Sequence, residues 1–252
     1  EALARLAARR GVQFRFDAKV EEIIVSGGRA RGLVLAGGER IEAGAIVANC
    51  DAEALASGLF GEPARAAVDL PLAARDKSLS AIGIALKATV SGRELIHHNV
   101  FFAADPLREF REIFEGRRLP RKPNVYVCAE DRGEAGEARP HGPERLFLIV
   151  NAPALAGPSQ TFDRQEIDLC VTAAFSTLAA SGLHLDWAPG DLHLSTPSDF
   201  AALFPGTGGA LYGRASHGST ASFQRPEARS RIRGLYLCGG SAPPGAGGPM
   251  AS

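Results

Sequence analysis

Along the first fifty residues, apolar and polar positions alternate in short blocks. Leu3, Leu6, Ala7 and Arg10 follow helical spacing, and Gly11 stands where a helix can end in the left-handed conformation. Val12, Phe14 and Phe16 then alternate with Gln13 and Arg15, which predicts a strand over residues 12–16. Apolar runs at 20–25, 29–35 and 40–43, separated by Ser26-Gly27-Gly28 and Ala36-Gly37-Gly38, predict a small antiparallel meander with glycine hairpin turns. A further apolar strand at 45–49 stops abruptly at Asn49-Cys50-Asp51, ahead of a helix over 52–59. A strand that ends in polar residues before a helix is a common ligand position.

The texture changes near residues 70–77, where a domain crossing is expected. Beyond it the pattern predicts strands at 79–90, 99–102, 125–129 and 146–151, with a polar Gly/Pro-rich loop over 133–142. Asp105-Pro106 predicts the start of an amphipathic helix reaching Glu115, on which Phe110 and Phe114, four apart, form a core-facing stripe. A longer helix over 162–180 should stop at Gly182. Thr196-Pro197-Ser198-Asp199 supplies an N-cap, a first-turn proline and an acidic third position for a short helix ending before Pro205.

Composition narrows the classes. With 45% hydrophobic and 22% charged residues over 252 positions, the chain is a folded globular protein. Lys plus Arg and Asp plus Glu balance at 28 each, so the electrostatic footprint of nucleic-acid binding is missing and a neutral or apolar ligand fits better. Cys50, Cys128, Cys170 and Cys238 form no C-x-x-C pair, and His97, His98, His141, His184, His193 and His217 show no metal spacing. No metal is therefore expected, and a reducing cytoplasm is the default. Apolar runs fall far short of the roughly 20 residues of a spanning helix. Glu1 in place of an initiator methionine, inside a helical pattern, leads us to expect an internal fragment of a longer protein.

The most specific feature lies at the C-terminus. The short apolar strand Leu235-Tyr236-Leu237-Cys238 runs into Gly239-Gly240-Ser241-Ala242-Pro243-Pro244-Gly245-Ala246-Gly247-Gly248-Pro249. Successive glycines let a backbone approach a ligand closely and present N–H groups to it, as an isoalloxazine carbonyl or a diphosphate requires. His217, in Tyr212-Gly213-Arg214-Ala215-Ser216-His217-Gly218, lies on the approach to this segment, with a structural role at least as favoured as a catalytic one. Phe101, Phe102, Phe110 and Phe114 could line a tunnel for an apolar ligand, though Phe110 and Phe114 are more simply one core-facing stripe, and the basic run Arg117-Arg118-Leu119-Pro120-Arg121-Lys122 reads as a solvated loop or a contact with anionic lipid.

The run Gly234-Leu235-Tyr236-Leu237-Cys238-Gly239-Gly240-Ser241, followed by Pro244-Gly245-Ala246-Gly247-Gly248-Pro249-Met250, resembles the flavin-closing signature of bacterial phytoene-desaturase-type oxidoreductases. Lys19-Val20-Glu21-Glu22-Ile23, Arg29-Ala30-Arg31-Gly32-Leu33 and Ile46-Val47-Ala48-Asn49-Cys50-Asp51 are similar to the segment that follows the dinucleotide fold in the same family. Asn99-Val100-Phe101-Phe102, Val125-Tyr126-Val127-Cys128-Ala129 and Gly208-Gly209-Ala210-Leu211-Tyr212-Gly213-Arg214 resemble most the 1-hydroxycarotenoid 3,4-desaturases, or methoxyneurosporene dehydrogenases, of purple bacteria. The signature departs from the family at Ala242-Pro243-Pro244, where x-His-Pro is expected, and at Gly248, where an aliphatic residue is usual.

The resemblance covers the whole chain but only about the latter half of a family enzyme, whose G-x-G-x-x-G turn is not among these 252 residues. It implies an α/β fold: part of a Rossmann-like FAD/NAD(P)-binding domain with its β-meander (1–72), a substrate domain on a mixed or antiparallel sheet (73–205), and a return to the FAD domain with the flavin-closing segment (206–252). The two ends of the chain should therefore meet in space. It implies FAD as cofactor, with Val20 touching the adenine end through its backbone, Gly239, Gly240 and Ser241 near the ribityl or diphosphate chain, and Gly248, Pro249 and Met250 at the pyrimidine edge. The implied activity is a flavoprotein dehydrogenase of carotenoid biosynthesis that forms a C=C bond by hydride transfer from a polyene to flavin. The implied partner is a carotenoid, met by a cytoplasmic protein at the periphery of the inner or photosynthetic membrane. The resemblance names no catalytic side chain. Another oxidase of the flavin amine-oxidase superfamily, or a non-catalytic module binding lipid or a partner, stands as the alternative.

Overall fold

A computed structural model describes residues 1–69, 77–133, 141–157, 160–215 and 225–242. Helix α1 (Ala2–Arg9) is followed by the antiparallel meander β1 (Val20–Ser26), β2 (Arg29–Leu35) and β3 (Arg40–Glu42). Both tight turns are glycine pairs with positive φ, 58° and 68° at Gly27 and Gly28, the backbone sign that a two-residue hairpin demands. Strand β4 (Ile46–Ala48) leads through the cap Asp51, whose Oδ1 accepts from the Glu53 N–H at 2.8 Å, into the short helix α2 (Ala52–Ala56) and a 3₁₀ turn over Glu62–Ala67.

The middle of the chain builds a six-stranded antiparallel sheet. Its spine is β5 (Ser80–Gly92), with β8 (Glu144–Ala152) on one side, followed outward by β7 (Val125–Ala129) and β6 (His98–Phe101). Along the opposite edge of β5 lie β9 (Leu183–Asp186), against residues 89–92, and β10 (Leu192–Ser195), against residues 83–86. The register pairs Ile82 with Val150, Ile84 with Leu148 and Leu86 with Leu146, so one face carries a continuous band of branched aliphatics. Helix α4 (Arg164–Ala180) covers that band with Ile167, Cys170, Ala174 and Leu178. Each large side chain buried there contributes about 1.5–3 kcal/mol. The helix begins with a capping box between Asp163 and Glu166, and α5 (Pro197–Leu203) begins with another between Thr196 and Asp199.

The ends of the chain meet. Strand β11 (Leu235–Leu237) pairs in parallel with β4, and Ile23, Ala30, Ile46, Leu55, Ile232, Leu235 and Leu237 share a second core cluster distinct from that of the sheet.

Two expectations are corrected. Residues 12–16 form no strand: Val12, Phe14 and Phe16 are exposed, with Phe16 at 82%, and no neighbouring strand satisfies their backbone. Alternation alone does not make a strand without a partner. On α3 (Pro106–Phe114), Phe110 is exposed and Phe114 half-buried, while Glu109, Glu112 and Ile113 face inward. Glu109 Oε2 accepts from the Asn124 N–H at 2.5 Å and Oε1 from Asn151 Nδ2 at 2.6 Å; Glu112 accepts from the Arg121 N–H at 2.9 Å and pairs with Arg108 and Arg118. These partners make inward glutamates tolerable where apolar residues were expected. Strands β9 and β10, each four residues long, had no clear signal in the sequence.

Candidate functional site

The parallel pair β4 and β11 ends on one side, so Asn49-Cys50-Asp51 and Cys238-Gly239 leave the sheet together at its carboxyl edge. That edge is where ligands sit in open parallel sheets. A cavity of about 450 Å³ opens beside it, lined by Lys19, Val20 and Glu21 around the start of β1, by Asn49, Cys50 and Asp51, by Leu59 and Phe60 after α2, and by Leu203, Phe204 and Pro205 at the end of α5. The walls thus come from the meander, the strand end and the last helix of the sheet region. They are mainly apolar, with a few polar groups at the strand end, the make-up of a small-molecule site.

Gly239 packs against this wall. Its φ is 103°, and a Cβ on it would collide with Oδ1 of Asn49. A side chain at this position is thus excluded both by dihedral strain and by contact. Gly240 differs: a Cβ there would meet nothing within 4 Å, so its open side is space that a ligand can fill. The Gly240 carbonyl accepts from Arg225 Nη1 at 2.7 Å, and the Ala242 N–H donates to the Gly239 carbonyl at 3.1 Å, which closes a tight turn over 239–242. Ser241 lies beside Gly213, where a Cβ would stand 2.9 Å from the Ser241 Cβ and 3.1 Å from Oδ2 of Asp51. Glycine at 213 therefore lets the chain after α5 approach the turn.

Burial pushes the Cys50 thiol up to about 11, with the neighbouring Asp51 and Cys238 adding to the shift, so it is a neutral thiol at physiological pH. Asp51 spends one carboxylate oxygen capping α2. The close-approach glycines, the open face at Gly240 and the apolar walls fit part of a flavin dinucleotide. A bound FAD would be held by backbone at Val20 and at 239–241 and would supply the redox chemistry itself.

Of the seven residues expected to hold the cofactor, Val20 lines the cavity and Gly239 packs against Asn49 of its wall, while Gly240 and Ser241 follow in the turn, with Ser241 beside Gly213. Gly248, Pro249 and Met250 lie outside the described residues, as does His217. Phe101 is buried in the sheet core, and Phe102 is 65% exposed, so neither lines this cavity. Sequence reading missed Leu59, Phe60, Leu203 and Phe204. The only available signal for them was their position just past the ends of short helices. It also missed a convergence elsewhere, His97 and His98 with Cys128, which are 30 residues apart in sequence but face one another across β6 and β7.

Among the described residues, no helix is long and apolar enough to cross a membrane. No family model matches the chain. An oxidoreductase from Methanosarcina mazei shares the fold, with a TM-score of 0.55 at 16% identity, over 96% of this chain and 48% of that one. The sequence is 48% identical over 252 residues to hydroxyneurosporene desaturase from Rubrivivax gelatinosus, covering 100% of this chain and 47% of the relative. It is 44% identical over 251 residues to hydroxyneurosporene desaturase from Cereibacter sphaeroides, covering 100% and 49%. A zeta-carotene-forming phytoene desaturase from Myxococcus xanthus is 32% identical over 261 residues, covering 99% and 48%. The chain spans about half the length of the curated relatives it matches. Similarity that runs the whole length of this chain, to several carotenoid desaturases at once and on the fold described above, is consistent with the chain being part of a phytoene-desaturase-type protein.

Proposed function

We propose that this chain forms the substrate domain and the flavin-closing part of an FAD-dependent carotenoid desaturase whose substrate is a hydroxylated polyene. The observation that carries the reading is the identity of 42–48% to three hydroxyneurosporene desaturases across the whole chain. The site agrees with it chemically. When bound, FAD would supply the acceptor for a hydride, with its two electrons, from an allylic carbon, while a proton leaves the neighbouring carbon. The chain's own residues orient and enclose: Val20 and the turn at 239–241 contact the cofactor through backbone, Gly248, Pro249 and Met250 meet its pyrimidine edge, and Leu59, Phe60, Leu203 and Phe204, which share the cavity with Val20, exclude water from the part of the cofactor held there.

The division into 1–72, 73–205 and 206–252 is supported by the two separate cores, one shared by both ends of the chain and one built from the middle. A peripheral contact with the inner or photosynthetic membrane is supported by the exposed apolar side chains of Phe102 and Leu107 near the exposed Arg108 and Arg111, since a polyene must be drawn from lipid.

The test is made on the full-length protein. Purified protein should carry flavin absorbance, and with hydroxyneurosporene in lipid vesicles it should release a product lighter by two hydrogens with one more conjugated double bond. A folded, flavin-free protein that binds vesicles and leaves the polyene unchanged would favour a non-catalytic lipid-binding module instead.

A further inference from the structure

We propose that His97, His98 and Cys128 form a zinc site at the edge of the six-stranded sheet, separate from the cofactor cavity. One ligand atom from each residue lies within 4.8 Å of those of the other two. His98 and Cys128 are direct cross-strand partners in the β6–β7 ladder, so their side chains leave the same face, and His97 joins them from the turn before β6.

The geometry around His97 favours a ligand over a plain core histidine. Its Nδ1 lies 3.0 Å from the Ala129 carbonyl and 2.9 Å from the Arg132 carbonyl. Both partners are acceptors, so Nδ1 carries the proton and Nε2 presents its lone pair, 3.7 Å from the Cys128 sulfur. A second ring nitrogen held by backbone carbonyls is the usual support of a metal-bound imidazole. His98 is oriented by a 2.7 Å hydrogen bond between its Nδ1 and the Tyr126 hydroxyl. Two imidazoles and one thiol suit Zn²⁺, which takes nitrogen and sulfur ligands in a tetrahedron, with water at the fourth position. On binding, the Cys128 S–H bond breaks, a Zn–S bond forms and the proton passes to water. The buried Cys128 and half-buried His97 leave His98, which is exposed, as the open side through which the ion enters.

The experiment uses the intact protein, loaded with Zn²⁺ and dialysed against metal-free buffer, with zinc counted by elemental analysis. One zinc per chain is expected, and replacement by Co²⁺ should give a thiolate-to-cobalt charge-transfer band in the near ultraviolet. Cys128→Ser should lose the band, and His98→Ala should lose retained zinc while circular dichroism stays unchanged. His98 is exposed, so His98→Ala decides the matter if Cys128→Ser fails to fold. Wild-type protein that emerges from dialysis without zinc, or a folded His98→Ala variant that keeps both zinc and the cobalt band, would overturn the site.

Discussion

The two cores of this molecule are built from different materials. Among the described residues, four of nineteen buried members of the six-stranded sheet's cluster are alanine, and five of eleven in the cluster joining β4 and β11 to the meander. The first is a closed layer, aliphatic side chains on β5, β7 and β8 under α4. The second packs small residues tightly and leaves apolar surface in water beside it: Leu3 is 74% exposed and Val47 64%, and α1 buries none of its residues. Because stabilisation follows the apolar area removed from water, the sheet region carries most of the folding energy. The flanking region gains close backbone approach instead, as a wall for a cofactor requires. Stability and binding should therefore separate by region under mutation.

The strongest test of that separation is Arg132→Ala in the sheet region. Arg132, whose side chain is 9% exposed, donates from Nε and Nη2 to the two oxygens of buried Glu144 at 2.7 and 2.5 Å, and reaches the Leu95 carbonyl from Nη1 at 3.0 Å. Removing it strands a buried carboxylate, at a cost of about 3–5 kcal/mol. Denaturant unfolding of the full-length protein should show the loss, while any protein still folded keeps its flavin. An unchanged unfolding midpoint would mean that the sheet core does not carry the stability assigned to it.

Gly239→Ala comes next, because it acts on both properties. A non-glycine residue at φ 103° is strained by about 1–3 kcal/mol, and its Cβ meets Asn49. Moderate destabilisation together with loss of flavin is expected, read by unfolding and by absorbance on one preparation. A variant of native stability with full flavin content would show that the turn can move away from the strand end.

Gly240→Val sharpens the comparison further, since its side chain enters open space and costs the fold less than about 1 kcal/mol. Circular dichroism should be unchanged, while FAD content collapses and desaturation of the hydroxylated polyene falls with it. A folded Gly240→Val protein that keeps its flavin and still desaturates would remove residue 240 from the cofactor site.

The smallest effect concerns pH and belongs to the sheet region. Burial raises the Glu109 carboxyl above its ordinary 4.5, against the lowering effect of hydrogen bonds from Asn124 and Asn151. The folded chain thus holds this proton at pH values where the unfolded chain has released it. The resulting stabilisation is complete below pH 4.5 and is lost as pH rises through the raised value. Glu109→Gln should remove that part of the pH dependence, seen as a flatter profile of unfolding midpoint against pH above 4.5 than in the parent protein. Identical profiles would show that Glu109 titrates in the folded chain as it does in the unfolded one.

Much of the fold was legible because local rules and tertiary packing agree. Strand β7 lies on the expected residues, the capping residues Asp105 and Thr196 start α3 and α5 as read, and the glycine pairs turn the meander. Reading failed where a partner distant in sequence decides the outcome. Residues 12–16 alternate without a neighbour to bond, and α3 turns Glu109 inward to Asn124 and Asn151 and Glu112 inward to the Arg121 N–H and the Arg108 and Arg118 side chains. For the site, the close-approach glycine at 239 was visible as a glycine run after an apolar strand, whereas Leu203 and Phe204 carry no local sign that they face Val20.

The sequence by itself determined the periodicities, the caps and turns, the neutral charge balance and the glycine-rich segment after β11, because each depends on neighbours only a few residues apart. Only the tertiary structure decided what lies opposite what. It paired β4 with β11 across nearly two hundred residues, so that Asn49 and Gly239 share one wall, and it set His97 and His98 against Cys128. Side-chain chemistry is fixed residue by residue along the chain, but a site needs groups within a few ångströms of each other. That proximity is created by the packing of the whole sheet and is written in no single stretch of sequence.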